Sequence, residues 1–224
     1  MKKFILLLAF CLHANAATNA VSGVYLPDIY IDELKKSKSH TLALNKFIST
    51  TNATKADAIL INNYKITYVY GYSDAETKNI TVLETKTITI MNPNGTLYDI
   101  KREKGRIEDD SGTRYSQVGH IKDVILAAQF FITKTIFGKK RYRSKNGEEL
   151  FLDDHGRLYY KNMRYEFLLS RQNDSNYDTI YSKNENKTYF LGVKNKKIHM
   201  YQSLNKDNEP EYFATEFILV DELE

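Results

Sequence analysis

The chain has 224 residues, and its 32 basic and 28 acidic side chains give a net charge of about +4 at neutral pH. So small an excess does not indicate the concentrated basic face of a nucleic-acid-binding protein. Tyrosine occurs 17 times and tryptophan not at all. Segments rich in tyrosine and β-branched residues favour half-buried strands, so composition favours a β-rich protein.

Residues 1–16 have the three parts of a secretory signal peptide. A Lys-Lys pair comes first, residues 4–12 are apolar, and residues 14–16 read Ala-Asn-Ala, a small-residue cleavage site. The apolar run is too short to span a bilayer, which takes about 20 residues. We expect cleavage after residue 16 and export to the periplasm or the outside. A lipidated Cys11 is the alternative, although the bulky Phe10 before it does not match a lipobox.

Cleavage would leave residues 17–224 without any cysteine and would lower the net charge to about +2. The mature chain would then have no disulfide, no thiolate nucleophile and no cysteine metal ligand. No Pro/Gly/Ser-rich linker interrupts it. Its length and composition therefore predict a single β-rich domain over residues 17–224.

Two short helical pieces are predicted near the start of this domain. A strand at residues 22–26 ends at Pro27, and Asp28 can cap the helix that follows. Residues 39–49 have apolar side chains at helical spacing and predict a second helix.

The longest strand signal spans residues 58–72. Within it, Tyr64, Tyr68, Tyr70 and Tyr72 alternate with other residues, so in one strand they would share a face. That face is either ordinary core, with phenol groups hydrogen-bonding at the rim, or the lining of a polar-aromatic pocket. We take these four tyrosines as the candidate ligand-binding residues.

Further strands are predicted at residues 79–91, as the partner of the tyrosine strand, and at residues 96–102. The acidic residues 108–112 lack the alternating spacing of a calcium loop and predict a solvated turn.

The clearest helix signal covers residues 119–137, where apolar residues recur at helical spacing. Gly138 is a natural C-terminal cap. A helix this apolar is either packed across a sheet or docked on an apolar surface. We expect packing on the sheet, with docking on a membrane surface as the alternative.

After the helix the chain alternates short apolar-aromatic runs with turn signals. Asn146-Gly147 predicts a hairpin turn in which both residues have positive φ, and His155-Gly156 marks the next turn. Many short strands at a regular spacing predict an antiparallel meander that forms a barrel or a sandwich. The predicted fold is therefore mainly β, with two short N-terminal helical pieces and one long central helix.

Two segments carry a resemblance to a known family. Gly23-Val24-Tyr25 stands where lipocalins carry G-x-W, and residues 138–151 are similar to the G-x-Y-x-D-x-x-G-x-x-Y/F pattern of such barrels. The chain thus resembles lipocalin-like (calycin-type) secreted bacterial proteins over its strand-rich parts. The resemblance implies a β-barrel that binds a small apolar or amphipathic ligand.

The sequence offers little support for catalysis. The four histidines outside the leader have neither H-x-H nor H-E-x-x-H spacing, and no G-x-S-x-G or phosphate-binding glycine motif occurs. Asp153-Asp154-His155 is the one acid–histidine cluster, and its neighbouring glycine favours a turn over an acid–base site. We predict no catalytic residue, metal or cofactor.

These observations favour an exported, non-enzymatic protein that binds a small apolar or amphipathic ligand in a β-barrel. One alternative is a protein-interaction module that binds an envelope protein, such as an inhibitor or assembly factor. A third hypothesis, an envelope hydrolase, requires His155 or His199 to lie near two carboxylates. The sequence does not indicate the oligomeric state.

Overall fold

The computed structural model describes residues 22–51, 55–62, 64–84, 86–120, 123–138, 141–153, 155–169, 176–184, 186–195, 197–207 and 209–220. The predicted signal peptide lies outside these residues. The helices are α1 (Asp28–Ser37), α2 (His40–Thr51) and α3 (Val124–Phe137). The prediction of two N-terminal helices and one central helix is confirmed.

The first eight strands form a closed antiparallel barrel, in which each strand pairs with the next in sequence and the eighth pairs back onto the first. They are β1 (Gly23–Pro27), β2 (Ala58–Asn62), β3 (Lys65–Tyr70), β4 (Asp74–Leu83), β5 (Thr87–Met91), β6 (Leu97–Glu103), β7 (Arg106–Glu108) and β8 (Arg114–Gly119). We call this ring the first barrel.

The remaining strands form a second closed antiparallel barrel with the same sequential order, in which the last strand pairs with the first. They are β9 (Arg141–Ser144), β10 (Glu149–Leu152), β11 (Leu158–Tyr160), β12 (Met163–Phe167), β13 (Asp178–Ser182), β14 (Lys187–Lys194), β15 (Lys197–Leu204) and β16 (Pro210–Leu219). The mainly β, antiparallel barrel fold is therefore confirmed, with two rings of strands.

The chain divides into two compact units. Unit 1 contains residues 1–28 and 56–127, and unit 2 contains residues 29–55 and 128–224. Each unit has one of the barrels. The single domain predicted for residues 17–224 stays a prediction, and the strand pairing adds that each half of the chain closes on itself.

The central helix starts later than the predicted residue 119. Gly119 is the last residue of β8 and pairs with Val24, so it takes part in closing the first barrel. Asp123 then caps the helix, because its side chain accepts a hydrogen bond from the Leu126 N–H at 3.0 Å. The described residues contain no helix long and apolar enough to cross a bilayer.

The single strand predicted over residues 58–72 is wrong. The segment folds into the β2–β3 hairpin, in which Asn62 pairs with Lys65. Tyr64 lies in the connecting turn with a φ of 61°. The predicted partner strand at residues 79–91 is likewise divided between β4 and β5.

Isoleucine side chains form most of the interior of the first barrel. These isoleucines come from six strands, β2 to β7, and pack as one buried cluster with Tyr25, Tyr68 and Tyr115. They are Ile59, Ile61, Ile66, Ile80, Ile88, Ile90, Ile100 and Ile107. Because these side chains occupy the middle of the ring, its interior is a packed core.

Aromatic side chains form the interior of the second barrel. Tyr160 of β11 meets Tyr165 of β12, Tyr189 of β14 and Phe217 of β16, with ring centroids 6.3, 5.7 and 5.6 Å away. All four residues are buried. Rings from four strands touch one another only if they point into the barrel, so this interior is also packed.

One five-residue hairpin turn recurs in both barrels. The first residue donates its backbone N–H to the carbonyl of the fifth, and a glycine in fourth position donates back to the carbonyl of the first, as in residues 92–96, 109–113, 144–148 and 153–157. In residues 144–148 only Gly147 has positive φ. The predicted two-residue turn with a positive φ at Asn146 is therefore wrong, and the turn is the longer type with glycine in the left-handed conformation.

A buried carboxylate attaches α2 to the second barrel within unit 2. Asp178, the first residue of β13, accepts hydrogen bonds from the His40 and Thr41 N–H groups at 3.0 and 2.7 Å, and from Ser39 Oγ at 3.0 Å. These bonds satisfy N–H groups that the first turn of a helix leaves unpaired. Burial raises the pKa of the Asp178 carboxyl, and these hydrogen bonds lower it by a smaller amount.

Candidate functional site

The four tyrosines predicted from the sequence lie in different settings. Tyr68 and Tyr70 are on β3, where Tyr68 belongs to the core of the first barrel and Tyr70 packs against it. Tyr64 is 48% exposed in the turn before β3, and Tyr72 lies in the turn after it. Tyr64 and Tyr72 therefore flank opposite ends of the strand, and only Tyr68 and Tyr70 are brought together.

Three residues that the sequence did not indicate lie beside Tyr68. The hydroxyl groups of Tyr68 and Tyr98 are 3.2 Å apart. The Lys78 ammonium lies over both rings, 5.4 Å from the Tyr68 centroid and 5.3 Å from that of Tyr98. It also forms an ion pair with Glu76 at 3.3 Å. We call Tyr68, Tyr70, Glu76, Lys78 and Tyr98 the tyrosine–lysine cluster.

Strand register explains why these side chains meet. Directly paired residues of antiparallel strands share a face. Tyr68 pairs with Glu76 and Ile66 pairs with Lys78, so Glu76 and Lys78 lie on the same face as the isoleucine core. The same rule places Tyr98 inward, because it pairs with the buried Ile90.

Burial sets the protonation states in the cluster. It raises the pKa of Tyr68, and the hydrogen bond with Tyr98 raises it further, so the phenol is neutral near pH 7. Burial disfavours the charged form of Lys78, but Tyr98 and Glu76 together outweigh this and raise its pKa. The cluster thus holds one ammonium group against neutral aromatic rings, an arrangement that cation–π attraction stabilises.

The cluster is where the packed interior of the first barrel reaches solvent. Ile66 and Ile80, its neighbours on the same face, are at most 5% exposed. The side chain of Lys78 is 15% exposed and that of Glu76 is 49% exposed. A small molecule at this end of the barrel would therefore contact phenol rings, one ammonium group and one half-exposed carboxylate. The isoleucine core beneath them is closed.

The second barrel has a comparable polar group, but its carboxylate is fully coordinated. Glu148 accepts hydrogen bonds from Tyr160 Oη and Thr215 Oγ1, both at 3.1 Å, and pairs with Lys161 Nζ at 2.9 Å. The Lys161 bond is the main cause of the lowered pKa of Glu148. This group is a structural network of the barrel wall.

The predicted turn at Asp153-Asp154-His155 is confirmed for the described residues 153 and 155. Asp153 Oδ1 accepts hydrogen bonds from the backbone N–H groups of His155 and Arg157, and the His155 side chain is exposed. His199 lies 3.9 Å from one carboxylate, that of Glu216, and stacks on Tyr201. Within the described part of the chain, no group of three His, Cys, Asp or Glu side chains is placed to hold a metal ion.

A small cavity of about 90 Å³ on the first barrel is lined mainly by charged side chains of β6, β7 and β8. Its main contacts are cross-strand ion pairs, with Glu108 lying 2.8 Å from Lys101 and 3.0 Å from Arg114. Exposed pairs of this kind contribute about 0–1 kcal/mol each. We therefore interpret the cavity as a gap within a row of solvent-exposed ion pairs across β6, β7 and β8.

Comparison with protein-family models, curated proteins and solved structures finds no match. The eight-stranded antiparallel barrels are compatible with a lipocalin-like fold.

Gly23 is the first residue of the segment that resembles the lipocalin G-x-W motif, and the structure explains why it is glycine. A Cβ there would lie 2.5 Å from the Gly119 carbonyl oxygen, where β1 and β8 close the first barrel.

Proposed function

We propose that this chain is an exported, non-enzymatic binding protein that holds a small amphipathic ligand at the tyrosine–lysine cluster. The observation that carries the proposal is the position of Lys78. Its ammonium lies over two phenol rings at the solvent-exposed end of an otherwise packed barrel.

The chemistry of the cluster favours a ligand with an apolar and a polar part. The faces of Tyr68, Tyr70 and Tyr98 supply apolar contact area, while the phenol and ammonium groups supply hydrogen bonds. Binding sites for small molecules commonly combine an aromatic lining with a few placed polar groups. The packed isoleucine core argues for a ligand that rests at the end of the barrel instead of deep within it.

A fluorescence titration with N-phenyl-1-naphthylamine, a neutral amphipathic dye, tests this proposal. We expect Tyr98→Ala to weaken binding at least about tenfold, because it removes one ring and the hydroxyl partner of Tyr68. Tyr64→Ala is the matched control, since that tyrosine is exposed in the turn before β3, and its affinity should equal that of the wild type. Equal affinities for all three proteins would contradict the proposed site.

The proposed export has its own measurement. Mass spectrometry of the protein recovered from an envelope or medium fraction should give a mature N-terminus at Ala17. A lipid-modified Cys11, or an intact leader on the functional protein, would contradict it.

A second candidate function, binding of an envelope protein, is favoured by one observation. Met91 and Leu97 pair across β5 and β6 on the outward face of the first barrel and are 37% and 61% exposed. Crosslinking in an envelope fraction with the wild type and a Met91→Ser/Leu97→Ser variant tests it. A specific adduct lost in the variant would support this function, and an adduct pattern unchanged by the substitutions would count against it.

A further inference from the structure

We infer that the ligand of the tyrosine–lysine cluster carries a negatively charged group, and that the Glu76 carboxylate stands in for this group in the structure. The inference rests on the proposed function, because it names the charge of the molecule that the cluster binds.

Lys78 is the group that would recognise the anion. An ammonium has three N–H donors. Among the described residues its polar neighbours are Glu76 and Tyr98. The ammonium therefore has a donor left for a further acceptor, and it is held in place by the two rings beneath it.

Glu76 is the side chain that an incoming anion would replace. Its oxygen lies 3.3 Å from Lys78 Nζ, beyond the 2.7–2.9 Å of a strong charge-assisted hydrogen bond. Its side chain is 49% exposed, so it regains water contacts when it moves away. An ion pair of this length with a half-exposed carboxylate contributes little stability, and exchanging that carboxylate for a ligand carboxylate or sulfonate costs little.

Lys161 of the second barrel provides the contrast. Its ammonium also lies over a tyrosine ring, 5.2 Å from the Tyr160 centroid. Its partner Glu148 is held by three donors within 3.1 Å, so a ligand anion would have to break a complete network. The Lys–Glu pair of the second barrel is thus part of a complete hydrogen-bond network. In the pair of the first barrel, a ligand anion can replace the glutamate.

Two dyes that differ by one sulfonate test the inference. 8-Anilinonaphthalene-1-sulfonate has the skeleton of N-phenyl-1-naphthylamine with one negative charge added. We expect the wild type to bind the anionic dye about tenfold more tightly than the neutral dye, an advantage that decreases with added salt. Lys78→Gln should reduce this advantage to less than about twofold, and Lys78→Arg should keep most of it. Glu76→Gln should strengthen binding of the anionic dye alone.

Lys161→Gln is the matched control and should leave the ratio of the two affinities at its wild-type value. An unchanged ratio in Lys78→Gln, or an equal loss in Lys161→Gln, would overturn the inference. If the neutral dye still depends on Tyr98 in that case, the proposed function stands without its charge selectivity. If neither dye depends on Tyr98, the proposed function fails as well.

Discussion

The two barrels have the same strand order and the same kind of hairpin turn, but their interiors are built from different residues. The first is packed with isoleucine and the second with mutually contacting aromatic rings. An eight-stranded ring is just wide enough for side chains to occupy its interior. The comparison shows that one topology accepts two different packing solutions, so topology alone does not locate a binding site.

The difference between the barrels that bears on function lies in their charged groups. In the first barrel, Lys78 has a loosely held carboxylate partner; in the second, Glu148 has three close donors. Buried polar groups that are fully satisfied add rigidity, whereas a partly satisfied group can accept a partner. The proposed site is therefore the one where a charged group remains incompletely coordinated.

The largest effect is expected in the aromatic interior. Phe217→Ala should lower the free energy of unfolding by about 3–5 kcal/mol, because Phe217 is fully buried against Tyr160. In the isoleucine interior, Ile88→Val should cost only about 1 kcal/mol, since one methylene is lost. Urea denaturation measures both, and the exposed Leu97→Ala is the control, with an expected change within about 0.5 kcal/mol. A cost below about 1 kcal/mol for Phe217→Ala would contradict the packed aromatic interior.

Acid should destabilise unit 2 through a buried histidine. His40 is 2% exposed, its Nδ1 lies 2.8 Å from Tyr30 Oη, and burial lowers its pKa from 6.5 to about 4. Between these values the unfolded chain binds a proton that the folded chain does not. Stability is therefore complete above pH 6.5 and decreases as the pH falls toward 4, by at most about 3 kcal/mol.

Asp178 opposes this trend in part. Burial raises its pKa, so below the raised value the folded chain binds a proton before the unfolded chain does, and this favours folding as the pH falls. Denaturant midpoints measured from pH 7 to pH 4 should decrease in the wild type and remain flatter in His40→Gln. The same slope in both proteins would exclude His40 as the cause.

The strands of the second barrel were predictable because its turns carry clear local signals. Gly147 and Gly156 both have positive φ and mark consecutive turns, so the runs between them are read as strands. The first barrel was harder to predict. Its β2–β3 turn has no glycine or proline, and Tyr64 adopts the left-handed conformation there, so the two strands looked like one alternating run.

The candidate site was half predictable for a related reason. Tyr68 and Tyr70 follow the alternation of β3, which the sequence displays. Glu76 and Lys78 are charged, and charged residues in a strand are ordinarily read as its solvent face. Only the register with β3, which pairs Glu76 with Tyr68, places them on the inner face. The short turn at residues 71–73 sets that register, and β4 starts at Asp74 instead of the predicted residue 79, so Glu76 and Lys78 lay outside the predicted strand.

The smallest expected effect compares the same turn in the two barrels. Gly112 and Gly156 occupy equivalent positions with φ values of 81° and 72°. A Cβ on Gly112 would meet nothing within 4 Å, whereas one on Gly156 would lie 2.5 Å from the Phe130 ring of α3. Gly112→Ala should thus cost about 1 kcal/mol, from the left-handed backbone alone.

Gly156→Ala should cost about 2 kcal/mol, because the partly buried Phe130 ring has to shift as well. Measured in a Phe130→Ala background, the same glycine substitution should cost only the amount found at Gly112, since the ring is gone. This double-mutant cycle separates the backbone cost from the packing cost. If Gly156→Ala lowers the free energy of unfolding equally with and without the Phe130 ring, then α3 does not constrain this turn by packing. The two turns would then differ in sequence only.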